Sequence, residues 1–462
     1  MFKLKHWSDQ PKELKIICFL QIFIGANLFG FLSTFILFLL KYTTLSDGYS
    51  IFGILAAMTC IVPLLGGVLA DKYFSPVQII VISFLLQVLG FLLLALLIPN
   101  VIIIGALLVV IGIGLGRSAI TKWLGGFYTK DQKVLRDHGF QYNYAFLNFG
   151  AILGPIFYGL LFSSDLYQVA FFISMTLMIM NTLLIIYLTH TKMTLKMVWL
   201  LMVGFALVGC MDMLIHHYAL FELLVLVITG MTVIWLIYYV VSQPQQLKGI
   251  VIFILLLSFI SFLFFIVEYQ FGALLPIFIK NCTQIVVYGW KIPAGSYAAL
   301  LPLSIVIGAV ILLPLTTRLS QQGYFKNYMI KSGLGMLFAG LSFFIFTWVA
   351  HMSGANIGVS ALLILLAYFL LGLGEILIGP MVFSAITALI PKLQIIVFIG
   401  ILYLFIALGG FVSGAFAKYM VPAHSFAMEY IQAFSILGLA CLGCVLIITL
   451  LYFLFKNRFN LK

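Results

Sequence analysis

The chain has 462 residues, of which 64% are hydrophobic and 8% charged, with a formal net charge of +12. A soluble domain carries ~25% charged residues, so this composition excludes an ordinary soluble protein and describes one that crosses a membrane many times. The basic residues lie in short loops and tails and are not interleaved with stacking aromatics, so the charge is not a nucleic-acid-binding footprint.

Apolar runs near 20 residues mark spans. In chain order they are 14–40, 50–70, 77–98, 101–121, 140–163, 167–190, 196–215, 219–241, 249–279, 297–316, 328–350, 357–390, 394–417 and 428–455. Fourteen spans predict an all-α polytopic membrane protein. Lys3, Lys5, Lys12 and Lys15 precede a first run too long for a signal peptide, so it is expected to be retained as a span.

With the N-terminus in the cytoplasm, the outer loops hold Lys41, Lys280, Lys291 and Lys418. The other twenty of the 24 Lys and Arg fall in inner loops, in tails or, for Arg117, within a span. This asymmetry predicts both termini inside. The spans divide as six, two and six: an N-terminal bundle over 1–192, an inserted hairpin over 193–248 and a C-terminal bundle over 249–462. The hairpin is bracketed by His190-Thr191-Lys192 and Gln243-Pro244-Gln245-Gln246-Leu247-Lys248, and it carries no charge at mid-span. His216-His217 in its loop reads as an interfacial pair, since no third metal ligand is evident. Cys441-Leu442-Gly443-Cys444 has redox spacing but sits in a span without His or carboxylate nearby, so it reads as helix packing. No metal or cofactor is expected.

The first motif is Gly66-Gly67-Val68-Leu69-Ala70-Asp71-Lys72. Its glycines permit close helix approach, and Asp71 is placed to cap the next helix and pair with a basic neighbour. Gly112, Gly114 and Gly116 allow the fourth span to bend and pack closely. Arg117 follows them, and two readings stand: it faces a polar cavity, or it snorkels to the inner interface. Leu135-Arg136-Asp137-His138-Gly139-Phe140 leads into the fifth span, where Tyr144 and Asn148 share one helical face. They either bind a ligand or hydrogen-bond another helix. Glu268 lies in the ninth span, as a buried proton-holding acid or as an acid facing outer water.

Glu375 stands midway in Leu370–Pro391, a hydrocarbon-length run with no other charge before Pro391. A charge at that depth costs ~2.5–3.5 kcal/mol on insertion scales, so it marks a functional site by default. One cation in the first half and one anion in the second suggest a ligand carrying both charges.

Together these residues resemble the proton-coupled oligopeptide transporters of the major facilitator superfamily. Arg136, Asp137, Gly139, Phe140, Tyr144, Asn148, Gly150 and Ala151 match the family's R-D-S-G-F and Y-x-x-x-N-x-G-A pattern, with Arg117 where the family usually has lysine. Gly374-Glu375-Ile376-Leu377-Ile378-Gly379-Pro380 resembles G-E-L-x-x-S-P, and Ile292-Pro293-Ala294 to Leu301-Pro302-Leu303 resembles I-P-A followed by N-P-L.

The resemblance implies the major facilitator fold, two six-helix bundles with an inserted pair. It also implies substrate contacts by Arg117, Tyr144, Asn148 and Glu375, a gating role for the loop residues Asp71, Lys72, Arg136 and Asp137, and a titratable glutamate at the position of Tyr269, one residue past Glu268, so that Glu268 is the acid expected to carry the proton. The implied partners are a short peptide or similar zwitterion, a proton and the lipid bilayer, with the chain working as a monomer in a bacterial inner membrane.

The chain departs from the family in its first span. The E-x-x-E-R motif aligns with Gln21-Ile22-Phe23-Ile24-Gly25, so both carboxylates and the arginine are absent. A family tyrosine falls at Cys60, and the asparagine of N-P-L at Leu301. These differences predict a more apolar pocket. They leave an alternative open, a transporter of this fold for another small solute with altered or absent proton coupling. An enzyme is disfavoured, because no paired carboxylates, metal cluster or nucleophilic set appears at membrane depth.

Overall fold

The computed structural model describes residues 7–129, 132–192, 194–283, 286–287, 290–355, 359–391, 394–421 and 427–456. Its helices are α1 (Lys12–Leu39), α2 (Leu45–Lys72), α3 (Pro76–Ala95), α4 (Pro99–Gly125), α5 (Lys133–Ser163), α6 (Tyr167–Thr189), α7 (Leu195–His216) and α8 (Tyr218–Ser242). They continue as α9 (Gln245–Glu268), α10 (Leu274–Cys282), α11 (Leu300–Ile311), α12 (Leu313–Ser320), α13 (Tyr324–Gly354), α14 (Ala361–Leu389), α15 (Ile395–Met420) and α16 (Ala427–Phe455). Among the described residues, fourteen helical segments are long and apolar enough to cross a membrane. The expected all-α architecture holds. Among the described residues a two-rung ladder pairs Val286 with Lys291 and Val287 with Trp290.

Two of the expected spans are broken. The run 249–279 is α9 and α10 joined by a single-turn 3-10 helix, Tyr269–Phe271. The run 297–316 begins as the 3-10 segment Ala294–Ala299 before α11. Apolar composition reports that a segment is in lipid; it does not report where the backbone changes its winding.

Turn chemistry sets the start of α3. Ser75 accepts from the Gln78 backbone N–H at 3.3 Å, Gln78 accepts in return from the Ser75 N–H at 3.1 Å, and Pro76 occupies the first helical position. The cap expected from Asp71 is therefore supplied by Ser75, four residues on.

The described chain forms two compact units. The first is Met1–Tyr42, Met58–Met213 and Pro293–Ala299; the second is Thr43–Ala57, Leu214–Ile292 and Leu300–Lys462. In the first unit α1 lies along α5, and α3 packs between α4 and α6. Glycines make these contacts close. A Cβ at Gly25 would meet the Leu147 carbonyl, one at Gly150 the Ile22 carbonyl, and one at Gly154 the Ala26 carbonyl. Between α3 and α4, a Cβ at Gly90 would stand 2.7 Å from the Gly105 oxygen, and one at Gly112 2.7 Å from the Ser83 oxygen. Lipid offers no hydrophobic drive between apolar helices, so close backbone contact across small residues holds them together. Phe31, Phe35, Phe38, Phe162 and Phe171 fill the remaining space around Tyr158, whose hydroxyl meets that of Ser174 at 2.6 Å.

Alternate loops of this unit meet, as antiparallel helices require. Gln10 donates to the Leu135 carbonyl and accepts from Tyr128, tying the N-terminal segment to the α4–α5 connection. At the opposite helix ends Lys41 bonds Asp165 at 2.6 Å and lies over the Tyr167 ring. The hydrogen bond to Asp165 holds the Lys41 ammonium above its ordinary pKa.

In the second unit α13 packs against α14 and α16, α11 against α14, and α9 against α15. The start of α2 belongs here too. A Cβ at Gly53 would lie 3.0 Å from the Phe411 oxygen, and Gly410 faces Ala56. Cys441, read above as packing, lies with its Cβ 3.1 Å from the position a Gly340 side chain would take.

Candidate functional site

In the first unit the residues predicted to bind a ligand lie on α4 and α5. Arg117 is exposed on α4, one residue past the Gly112–Gly116 stretch that presses this helix onto α2 and α3. Its carbonyl accepts from Thr121 at 2.9 Å. On α5 Tyr144 is 55% exposed, whereas Asn148 is 6% exposed and donates from Nδ2 to the Tyr144 carbonyl at 2.9 Å. The shared face of these two residues therefore contains a local bond from side chain to backbone. Tyr144 alone offers its side chain outward.

Gln21 has a partner that the sequence does not announce. It occupies the first carboxylate position of the absent E-x-x-E-R motif, and its Nε2 donates to Asn143 Oδ1 at 3.0 Å. A neutral amide pair joins α1 to α5 at this position. Cys60 and Leu301, the two other departures, are both buried.

The loop motif carries a surface ion pair. Asp71 in the last turn of α2 bonds Lys122 on α4 at 2.7 Å, and the same ammonium donates to the Ala70 carbonyl at 2.6 Å. Arg136 and Asp137 are exposed in the first turns of α5, and Lys72 is exposed beside Asp71. The Asp71 side chain is 61% exposed, and an exposed pair of this kind contributes ~0–1 kcal/mol. Asp71→Ala is expected to cost less than about 1 kcal/mol. Lys122→Ala is expected to cost more, because a helix-end carbonyl also loses its donor. Thermal unfolding of the two variants in detergent checks the order.

In the second unit the site is Glu375, half-buried midway along α14. Its place follows from local packing. The preceding Gly374 lets α14 press on α13, where a Cβ would stand 2.8 Å from the Gly335 oxygen and 3.0 Å from the ring of Phe264 on α9. One turn beyond Phe264, α9 ends at Glu268, which is 6% exposed. The side chains of Glu268 and Glu375 hydrogen-bond to each other. Glu375 Oε2 is buried and has no hydrogen-bond partner in the protein.

Two further features open the space beside Glu375. Gly379, one turn on, places only empty room next to the Glu375 Cγ, 4.0 Å from where its own Cβ would be. Pro380 lacks an N–H, so the Ile376 carbonyl loses its helical donor.

The contact between Glu268 and Glu375 was not legible in the sequence, where the two are separated by more than a hundred residues. Ionised carboxylates only accept hydrogen bonds, so a bond between these two side chains requires at least one of them to be protonated.

A family model described as the POT family matches residues 77–433. The chain belongs to the POT family. It is 26% identical over 374 residues to an uncharacterized transporter, YclF, of Bacillus subtilis (strain 168), covering 74% of this chain and 72% of that one. To dipeptide and tripeptide permease A of Pectobacterium carotovorum it is 23% identical over 434 residues, covering 90% and 85%. Among solved structures, a peptide transporter of this family in complex with alafosfalin superposes with a TM-score of 0.82 at 22% identity, covering 96% of this chain and 94% of that one. A POT family transporter in complex with 5-aminolevulinic acid gives a TM-score of 0.79 at 19% identity, with 96% of each chain covered. These likenesses establish the transporter fold of an integral membrane protein, including the major facilitator architecture expected from the motifs.

Proposed function

We propose that this POT family member is a proton-coupled carrier of di- and tripeptides or closely similar zwitterions. The observation that carries the reading is Glu375, a carboxylate in mid-span, hydrogen-bonded to a second carboxylate; the Glu375 Oε2 accepts no bond from a protein donor. Such an oxygen suits the ammonium end of a peptide. The relative named a dipeptide and tripeptide permease supports the same substrate class. So does the relative holding 5-aminolevulinic acid, which bears an amine and a carboxylate.

In this reading Arg117 takes the carboxylate end through its planar fork of donors, where the family's lysine offers a point charge. Tyr144 bonds the peptide backbone, and Asn148 holds the Tyr144 turn and its own carbonyl oxygen toward the ligand. Glu268 carries the proton, Asp71 and Lys72 with Arg136 and Asp137 belong to the gating loops, and the chain works as a monomer. The halves 1–192 and 249–462 are the two transport bundles, and 193–248 is an inserted structural hairpin. Both termini lie in the cytoplasm of a bacterial cell whose inner membrane holds the protein.

The test is uptake of a labelled dipeptide into proteoliposomes with and without an inward proton gradient. Accumulation that needs the gradient is expected; equal equilibration under both conditions would return the reading to an uncoupled carrier.

Arg117 makes a separate prediction. Arg117→Ala is expected to weaken a dipeptide with a free carboxylate by at least about tenfold, the loss of one charge-assisted bond of ~1.5–3 kcal/mol. The same variant is expected to leave a dipeptide amide, which lacks that carboxylate, nearly unchanged. Competition binding with the two ligands decides this, and equal losses for both would remove Arg117 from the carboxylate end.

A further inference from the structure

Three amides lie in the core of the first unit: Asn27 on α1, Gln87 on α3 and Asn181 on α6, each 1% exposed. Each keeps one buried polar atom without a hydrogen-bond partner among the described residues: Asn27 Nδ2, Gln87 Oε1 and Asn181 Nδ2. The orientation of Gln87 is set within its own helix. Its Nε2 donates to the Ser83 carbonyl, a pure acceptor, at 3.3 Å, so the side-chain oxygen is the end left over. A Cβ at Gly112 of α4 would stand 2.8 Å from the Gln87 Cγ, so α4 presses on the stem of this side chain.

The packing on either side brings the three amides to one level. The same spacing recurs on α1 and α3, as Ile24, Asn27, Phe31 and as Phe84, Gln87, Phe91. Phe31 meets Phe91 edge to face at 6.3 Å, and Ile24 and Phe84 line one small apolar pocket. Asn27 and Gln87 are therefore the middle rung between two rungs that are in contact. The α6 helix reaches the same pocket through Ile185. At its other end Phe171 lies 5.1 Å from Phe38 of α1. The intervals 24 to 38 and 171 to 185 are equal in length and run in opposite directions. Asn27 stands three residues from the pocket level and Asn181 four, about 4.5 and 6 Å along their helix axes.

Two N–H donors and one C=O acceptor at one level are the complement of a single water molecule, which accepts two hydrogen bonds and donates a third. An anion would meet the Gln87 oxygen, and a cation would meet two amide N–H groups of partial positive charge. Buried waters typically make about three hydrogen bonds, to polar atoms that the protein leaves unmatched. We propose that Asn27, Gln87 and Asn181 form a water-binding site in the core of the first unit, with one water accepting from both asparagine amides and donating to Gln87 Oε1. The site also fixes the register of three helices. Sliding one of them by a turn would set its amide against the apolar Ile24–Phe84 or Phe31–Phe91 level, where burial of an unbonded polar group is costly. The site does not depend on the peptide-carrier reading.

The test uses the full-length protein in detergent. Leucine has the shape of asparagine, and methionine nearly that of glutamine, without the hydrogen-bonding atoms. Asn27→Leu, Gln87→Met and Asn181→Leu each strand the groups that remain, and each is expected to lower the unfolding temperature by at least about 2 °C. The triple variant leaves no amide to satisfy, so its shift is expected to be clearly smaller than the three single shifts combined. Additive shifts, or single variants that unfold with the parent, would mean three independent groups and would overturn the proposal.

A second measurement needs no variant, and it decides if the single variants do not fold. A crystal structure of the parent that resolves ordered water is expected to show one peak about 2.7–3.2 Å from all three atoms. The peak is expected to persist when sodium chloride is exchanged for potassium gluconate. Amides bonded directly to one another, or no peak between them, would overturn the site; a peak that disappears with the exchange would overturn water in favour of an ion.

Discussion

Glu375→Gln is expected to reduce dipeptide affinity by at least about a hundredfold and to bring proteoliposome uptake to background. The substitution keeps the shape of the side chain and removes the charge. Breaking one partner of a buried ion pair typically costs ~3–5 kcal/mol, because the other charge stays desolvated and uncompensated, and each ~1.4 kcal/mol is tenfold in affinity. In the proposed site the charge left behind is the ammonium of the peptide. The fold should survive. A glutamine amide at 375 can donate to Glu268, so the link between α9 and α14 persists. The measurement is dipeptide binding together with a size-exclusion profile in detergent. Parental affinity in a well-folded Glu375→Gln protein would sink the assignment of the amine site, whatever the family.

The second large effect concerns folding. Gly154→Val is expected to abolish a monodisperse folded protein. A Cβ at Gly154 would come within 2.8 Å of the Ala26 Cα, and one at Gly150, a turn earlier, within 2.7 Å of the Ile22 carbonyl carbon. These neighbours are backbone atoms of α1 and cannot rotate aside. The two helices would have to separate along the whole seam, which also carries the Gln21–Asn143 bond. Overpacking of ordinary side chains costs ~1–3 kcal/mol, and a backbone obstacle adds to that. The control is Gly209→Ala on α7, where nothing lies within 4 Å of the added methyl. It is expected to be neutral or slightly stabilising, by up to about 1 kcal/mol, since alanine is the better helix former. A Gly154→Val protein with the parental unfolding temperature would refute the seam.

The sequence alone determined the spans, their number and their order. In lipid every backbone N–H and C=O must be satisfied within its own segment, so composition over 20 residues is enough to assign a helix. It also exposed Glu375, because a lone carboxylate in such a run has no bland reason to be there. The glycine run at 112–116 announced a close helix contact before any partner was known.

Partners were the part that only tertiary structure decided. A membrane helix is apolar on its lipid side and on its packed side alike, so periodicity does not show which face meets which neighbour. The pairing of α1 with α5, the placement of the first half of α2 with the second unit, and the Gln21–Asn143 bond all depend on steric fit between distant segments. The same holds for Glu268, whose meaning changed most. In the sequence it was an acid near a helix end, open to water or to a proton. The close approach of Phe264 to Gly374 brings the next turn of α9 onto α14, and that approach makes two separate acids into one hydrogen-bonded pair.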